Sequence, residues 1–198
     1  MKQAITTLIS IHDKITTDSI LFFDMDETLV YTNYANFLSY KKAIELVQKS
    51  NFNIDYNPAQ RFNRSLLKNA VPNLTETELE MIICEKEKCY NEFLSATQLN
   101  NEIVEILDKY CITNKTVLVT NCRKERALAT LNYHGLTDKF SSLFFRQFGK
   151  ENKKINKFQK AISCLDISPK LVIAFENEET EIDDAHIAGI SIINPLYL

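Results

Sequence analysis

The chain has 198 residues, and its contents of 45% hydrophobic and 25% charged residues are ordinary for a globular protein. This length suits one domain, or one domain with an insert. The formal net charge of −3 argues against a general nucleic-acid binder and against a protein of the membrane surface.

The sequence contains no pattern typical of a membrane span or a secretory leader. No apolar run approaches the roughly 18 residues that a span requires. Segment 1–18 has polar residues throughout and no long apolar core, which predicts no signal peptide. The five cysteines show no Cys-x-x-Cys spacing, and we interpret them as reduced thiols of a cytoplasmic protein rather than as disulfides or a zinc site.

The first strong structural pattern is an unbroken apolar run from Ile20 to Phe23. Such a run predicts a strand buried on both faces, as in a parallel sheet covered by helices. Asp24 ends the run, and Asp26 follows two positions later. Ligands of open α/β sheets bind beyond the carboxyl ends of the strands, so these carboxylates are candidates for a ligand site. Two carboxylates crowded together suggest a divalent cation, and hard oxygen ligands favour Mg²⁺.

The stretch from 34 to 98 carries apolar residues at roughly helical spacing, and no strand pattern interrupts it. Within it, Thr75 and Glu78 have the spacing of a capping box, which predicts the start of a helix. We therefore predict a helical insert over 33–98, between the two parts of an α/β core. The alternative is that these helices simply extend the core. The predicted core comprises 1–32 and 99–198.

The next buried strand is predicted within 116–121, where three apolar residues precede Thr120 and Asn121. A hydroxyl and an amide at a strand tip can hold phosphate oxygens by hydrogen bonds without adding charge. A helix from about Arg123, ended by Gly135, is predicted to follow.

The C-terminal third continues the alternation of strands and helices. A strand candidate at 143–145 is followed by a lysine-rich loop and a helix, then by a buried strand at 171–175 and an acidic segment. A helix and a last strand at 190–193 complete the pattern. This alternation predicts an α/β fold with a Rossmann-like parallel sheet.

The stretch Ser19 to Val30, a buried strand followed by Asp-x-Asp-x-Thr-Leu, resembles the first signature of the haloacid dehalogenase-like (HAD) phosphatase superfamily. The resemblance implies that Asp24 is a nucleophile and Asp26 a general acid/base, with Thr28 closing the turn. One departure is Glu27, which stands where many members have Gly. The segments 115–194 extend the resemblance, and the helical insert lies where such phosphatases often carry an α-helical cap.

The resemblance also assigns roles around the phosphate. A Ser or Thr at the end of the second core strand binds phosphate in this family, and Thr120 fits that position with Asn121 as a helper. The family places a lysine just ahead of the helix that follows the third strand and the lysine-rich loop, where its charge holds the nucleophile ionised. Spacing favours Lys153, while Lys150 and Lys154 stay open because the loop lacks a Lys-Pro pair.

The family's last signature is an acid at a strand tip, often with another acid four residues on. Here Asn177 occupies the first place and Glu181 the second. Asn can ligate Mg²⁺ through its carbonyl oxygen but contributes no negative charge. Asp24, Asp26 and Asn177 are therefore the expected metal ligands, with Glu178 or Glu181 compensating directly or through water.

These expectations combine into a Mg²⁺-dependent phosphomonoester hydrolase that acts on a small phosphorylated metabolite through an aspartyl-phosphate. One alternative is a sugar-phosphate mutase on the same scaffold. Another is a non-catalytic binding or regulatory protein, for which Asn177 is the best support and the two aspartates are counter-evidence. We expect neither nucleic-acid nor membrane partners, and the sequence leaves the oligomeric state and the substrate open.

Overall fold

A computed structural model describes residues 13–49, 54–147 and 155–195. The chain divides into two compact units. The first contains Met1–Val30 and Leu99–Leu198, and the second contains Tyr31–Gln98.

The strands and helices of the described residues alternate along most of the chain. The strands are β1 (Ile20–Phe23), β2 (Val30–Tyr31), β3 (Gln98–Leu99), β4 (Lys115–Val119), β5 (Ser142–Phe144), β6 (Val172–Glu176) and β7 (Ile192–Pro195). The helices are α1 (Asn33–Gln48), α2 (Arg64–Ala70), α3 (Glu76–Cys89), α4 (Asn101–Tyr110), α5 (Lys124–Tyr133), α6 (Lys157–Leu165) and α7 (Glu179–Ile187). Short 3₁₀ segments cover Tyr90–Ala96, Thr137–Lys139 and Pro169–Leu171.

Five strands of the first unit form one sheet in the order β5-β4-β1-β6-β7, and each neighbouring pair is parallel. β1 is the central strand, and its residue Phe22 lies opposite Val117 of β4 and Ala174 of β6. All four residues of β1 are buried, as its unbroken apolar run predicts. The prediction of an α/β fold with a Rossmann-like parallel sheet is confirmed.

Alternate residues of β1 face two different hydrophobic clusters, because successive side chains of a strand point to opposite faces. Leu21 and Phe23 belong to a cluster that includes apolar residues of α4 and α5. Ile20 and Phe22 belong to a cluster that includes residues of α6 and α7. The sheet is therefore covered by helices on both faces, which leaves the ends of its strands as the natural place for polar side chains.

The second unit is built from α1, α2 and α3 around its own hydrophobic cluster, whose aromatic members include Phe37, Tyr40 and Phe62. The predicted capping box is present: the Thr75 side chain accepts from the backbone N–H of Glu78, and the Glu78 carboxylate accepts from the backbone N–H of Thr75. Lys86 of α3 is a buried cation in this unit. Among the described residues, no helix has the length and apolar character that crossing a membrane requires.

Candidate active site

The loop after β1 places two buried carboxylates at the carboxyl end of the central strand. Asp24 and Asp26 are each 6% exposed. The Asp24 backbone N–H donates to the carbonyl of Phe175 at 3.0 Å, which extends the pairing with β6 by one residue. The backbone N–H groups of Leu29 and Val30 both donate to the Met25 carbonyl, so a tight turn holds the aspartates in place.

The backbone at Glu27 adopts a conformation that favours glycine. Its φ is +62°, in the left-handed region that glycine adopts readily. A residue with a Cβ in this region costs about 1 kcal/mol of conformational free energy. The loop therefore keeps the conformation that favours glycine, with a buried glutamate in its place.

Thr28 connects this loop to the one after β6. Its hydroxyl donates to Oδ1 of Asn177 at 2.9 Å, and its backbone carbonyl accepts from the Asn100 side chain at 2.9 Å. Asn177 is thereby held beside the β1 loop. A carbonyl oxygen has two lone pairs, so the hydrogen bond from Thr28 is compatible with a second interaction of the Asn177 oxygen.

Lys157, the first residue of α6, lies at the centre of the acidic groups. Its Nζ is 2.7 Å from Oδ1 of Asp24, 2.7 Å from Oε2 of Glu176 and 3.6 Å from Oε2 of Glu181. The helix starts here because the Asn156 side chain caps it, accepting from the backbone N–H groups of residues 158 and 159. The capped helix thus presents a buried ammonium group to the end of β1.

Glu176, the last residue of β6, is 1% exposed and fully engaged. Its Oε1 accepts from the backbone N–H groups of Asn177 and Glu178 at 3.0 and 3.1 Å, and its Oε2 accepts from Lys157. Glu178 itself is exposed. Glu176 therefore anchors both the loop after β6 and the lysine.

The pKa values of Asp24 and Lys157 are both raised in this cluster. Burial and then the charge of Glu176 raise the pKa of Asp24 to about 8, although Lys157 opposes the rise. Burial acts to lower the pKa of Lys157, but the charges of Asp24 and Glu176 more than offset it, so this pKa is raised. Lys157 is therefore charged, and one ammonium is not enough for the carboxylates around it.

The site has an excess of negative charge that suits a divalent cation. When all are ionised, the four buried carboxylates that pair with Lys157 and Arg126 outnumber these two cations: Asp24, Asp26, Glu176 and Glu181. In the described ranges, no three His, Cys, Asp or Glu side chains are grouped to hold a metal. A metal here would thus depend on neutral oxygens as well, and Mg²⁺ accepts carbonyl and water oxygens. Carboxylate oxygens together with neutral carbonyl and water oxygens are a set of ligands that fits Mg²⁺.

The phosphate-binding candidates lie at the same edge of the sheet. Thr120 directly follows β4, the parallel neighbour of β1, and is 1% exposed. Its Oγ1 accepts from the backbone N–H of Cys122 at 3.1 Å, and its own N–H donates to the Phe144 carbonyl. Asn121 and Lys157 both line a small recess beside β5.

Asp26 has a cationic partner of its own. Nη2 of Arg126, on α5, donates to Oδ2 of Asp26 at 2.9 Å, and the arginine is 9% exposed. The helix turns Arg126, Ala127, Thr130 and Leu131 inward, so the arginine occupies a core-facing position.

Three residues of this cluster were not among the predicted site residues: Arg126, Lys157 and Glu176. Sequence signals could have found two of them, Arg126 and Glu176. Arg126 lies one position before the apolar residue Ala127 on the inward stripe of its helix, and a buried arginine requires a partner. Glu176 directly follows the apolar run of β6, as Asp24 follows that of β1. Lys150, Lys153 and Lys154 lie outside the described residues, so the role expected of Lys153 stays a prediction.

The fold and this cluster define a class: an α/β protein with a doubly covered parallel sheet and an acidic site at the carboxyl end of its central strand. The family model of haloacid dehalogenase-like hydrolases matches residues 21–194, and the chain belongs to that family. No curated protein sequence matches the chain significantly.

Solved structures share the fold at low sequence identity. CbbY from Rhodobacter sphaeroides, in complex with phosphate, is 15% identical with a TM-score of 0.72, over 90% of this chain and 87% of that chain. A predicted phosphoglycolate phosphatase from Haemophilus somnus 129pt is 23% identical with a TM-score of 0.71, over 90% and 85%. A putative β-phosphoglucomutase from Thermotoga maritima is 22% identical with a TM-score of 0.63, over 88% and 83%.

Proposed function

We propose that this protein is a Mg²⁺-dependent phosphomonoester hydrolase that acts on a small phosphorylated metabolite through an aspartyl-phosphate. The observation that carries the proposal is the contact between Asp24 and Lys157, 2.7 Å apart and buried at the tip of the central strand. A carboxylate acts as a nucleophile towards phosphorus when it is ionised and positioned, and a buried cation supports both requirements.

The proposed reaction has two balanced steps. Asp24 attacks phosphorus, the bond to the leaving oxygen breaks, and Asp26 donates a proton to that oxygen. Asp26, now ionised, takes a proton from water as the water attacks the aspartyl-phosphate, which releases inorganic phosphate and restores Asp24. Thr120 and Asn121 hold the phosphoryl oxygens by hydrogen bonds.

The metal expected for this reaction would be held by the Asp24 carboxylate, the Asp26 backbone carbonyl and Asn177. Mg²⁺ bound there would supply positive charge against the phosphoryl oxygens and against the excess of carboxylates. Glu181 contacts Lys157 in the structure, so we assign it to the lysine rather than to the metal.

We propose Lys157 for the role that spacing assigned to Lys153. A cation in contact with the nucleophile stabilises the negative charge of the transferring phosphoryl group. Lys157 has that contact, and its two further carboxylate partners fix its position. We propose the second unit as the cap of the enzyme, a role that rests on its helical character and on its insertion after β1.

Turnover of p-nitrophenyl phosphate, with and without Mg²⁺, tests the proposal. Inorganic phosphate should be released with Mg²⁺ and not with chelator, and acid quench should trap a phosphoenzyme in the wild type but not in Asp24→Asn. A folded wild type that releases no phosphate from a panel of phosphorylated metabolites would contradict the proposal. Transfer of the phosphoryl group to a sugar phosphate instead of water would identify a mutase.

A further inference from the structure

The buried ion pair of Asp26 and Arg126 is not explained by stability alone. Both side chains are buried, and their nitrogen and oxygen are 2.9 Å apart. Buried ion pairs are expensive to desolvate, and replacement by apolar residues is often neutral or stabilising. An apolar residue at 126 would also suit the inward stripe of α5, which contains Ala127 and Leu131.

The pair restrains the side chain of Asp26, whose backbone is already held by the loop. Hydrogen bonds within the β1 loop already fix the backbone: Val30 N–H donates to the Met25 carbonyl, and Glu27 N–H donates to the Val30 carbonyl. These bonds do not set the side-chain rotamer of Asp26. Nη2 of Arg126 donates to one oxygen of the Asp26 carboxylate, and this contact restrains the direction in which the carboxylate points.

Arg126 is itself firmly placed. It sits in the first turn of α5, and its backbone carbonyl accepts from the Thr130 hydroxyl at 2.9 Å. The same helix follows the Thr120 loop, where the Cys122 N–H bonds to the Thr120 hydroxyl. One helix therefore connects the phosphate-binding loop to the carboxylate of Asp26.

We propose that Arg126 is a positioning residue that holds the Asp26 carboxylate in the geometry for proton transfer. The proposal rests on the function proposed above and adds a residue to it. Arg126 acts through Asp26, to which its Nη2 donates, and its guanidinium keeps its charge in a buried site. Misplacement of a reacting group by about 1 Å costs on the order of 100-fold in rate.

A double-mutant cycle tests whether Arg126 acts through Asp26. The variants are Arg126→Met, Arg126→Lys, Asp26→Asn and the double variant Asp26→Asn/Arg126→Met. With p-nitrophenyl phosphate, whose leaving group needs little protonation, rapid quench measures formation and hydrolysis of the phosphoenzyme separately. The double variant lacks both charges, so it keeps the measurement possible if Arg126→Met alone leaves a buried carboxylate and does not fold.

We expect Arg126→Met to slow phosphoenzyme hydrolysis by about 10- to 100-fold while KM stays within about threefold. Arg126→Lys should retain an intermediate rate. In the Asp26→Asn background, the Met substitution should change the rate by less than about twofold, because the group on which Arg126 acts has been removed.

Two results would overturn the proposal. Equal rate losses in both backgrounds would show a structural effect that does not pass through Asp26. Unchanged hydrolysis in folded Arg126→Met would show that the carboxylate needs no positioning. Failure of the proposed function looks different, because the wild type would then form no Asp24-dependent phosphoenzyme, and the role of Arg126 in its hydrolysis would fall with it.

Discussion

Each compact unit contains a buried lysine, and the two lysines are compensated in different ways. Lys86 in the helical unit is 3.1 Å from one carboxylate oxygen of Glu87 and lies over the rings of Tyr40 and Tyr90, at 5.3 and 5.7 Å from their centroids. Lys157 in the α/β unit faces three carboxylates.

The two buried lysines differ in the number of carboxylates around them. Lys86 has one carboxylate and two aromatic faces beside it, and aromatic faces attract a cation. Around Lys157 the acids outnumber the cation, and the pKa of Asp24 is raised to about 8 as a result of burial and of Glu176. An arrangement that crowds carboxylates in this way is poor for stability alone and suits a site that receives a cation.

The largest expected effect is the loss of turnover when Lys157 is substituted. Lys157→Met should lower kcat by about 10²- to 10³-fold, because a preorganised charge next to the transferring group is lost. Lys153→Met is the matched control, and we expect it to stay within about threefold of the wild type. Steady-state turnover of an aryl phosphate, on variants shown to fold by circular dichroism, gives the comparison. The reverse ranking would return the phosphate-binding role to Lys153.

The second effect concerns stability and compares the two lysines directly. Lys157→Met should lower the free energy of unfolding by about 3–5 kcal/mol at pH 7, since it leaves buried carboxylates without a partner. Lys86→Met should cost less, about 1–2 kcal/mol, because Glu87 is 23% exposed in its side chain and can be hydrated. Urea unfolding without metal measures both. Equal losses would mean that the acid excess around Lys157 has no energetic consequence.

The third effect is the pH dependence of the metal-free protein. The ordinary pKa of Asp24 is 3.8, and in the folded protein it is raised to about 8. Between these values the folded state binds a proton that the unfolded chain has released, so stability is highest at the acid end and falls as the pH rises to about 8. The raised pKa of Lys157 lies above this window and adds no slope within it.

Unfolding in urea with chelator, at several pH values from 5 to 8, tests this sign. The wild type should lose stability across the range, and Asp24→Asn should lose less because its side chain does not titrate. Added Mg²⁺ should reduce the slope by binding the folded state. A slope of the opposite sign, or identical slopes for wild type and variant, would show that Asp24 does not carry the effect.

The smallest effect is expected at Asn177. Asn177→Asp adds a negative charge to the proposed metal site, and we expect Mg²⁺ to bind about 10-fold more tightly, or about 1.4 kcal/mol. The metal-free variant should melt at a lower temperature, and Mg²⁺ should reverse that loss. Calorimetric titration and melting curves of both forms give the result. Unchanged affinity would exclude Asn177 as a ligand.

Local patterns predicted the parts of the fold that depend on neighbouring residues. The apolar run of β1 specified a strand buried on both faces, and the spacing of Thr75 and Glu78 specified a helix start. Both features depend on residues within a few positions of one another. The loop after β1 shows the limit, because its sequence did not indicate that Glu27 adopts a positive φ.

The sequence by itself determined the α/β class, a first strand buried on both faces and the place of Asp24 and Asp26 at its tip, because burial periodicity and strand ends are local properties of the chain. Only the tertiary structure decided which cations reach these carboxylates. Lys157 is 133 positions from Asp24, and Arg126 is 100 positions from Asp26. Such contacts depend on how α5 and α6 pack against the sheet and on where the Asn156 cap starts α6, and a shift of one residue on a helix turns a side chain by about 100°.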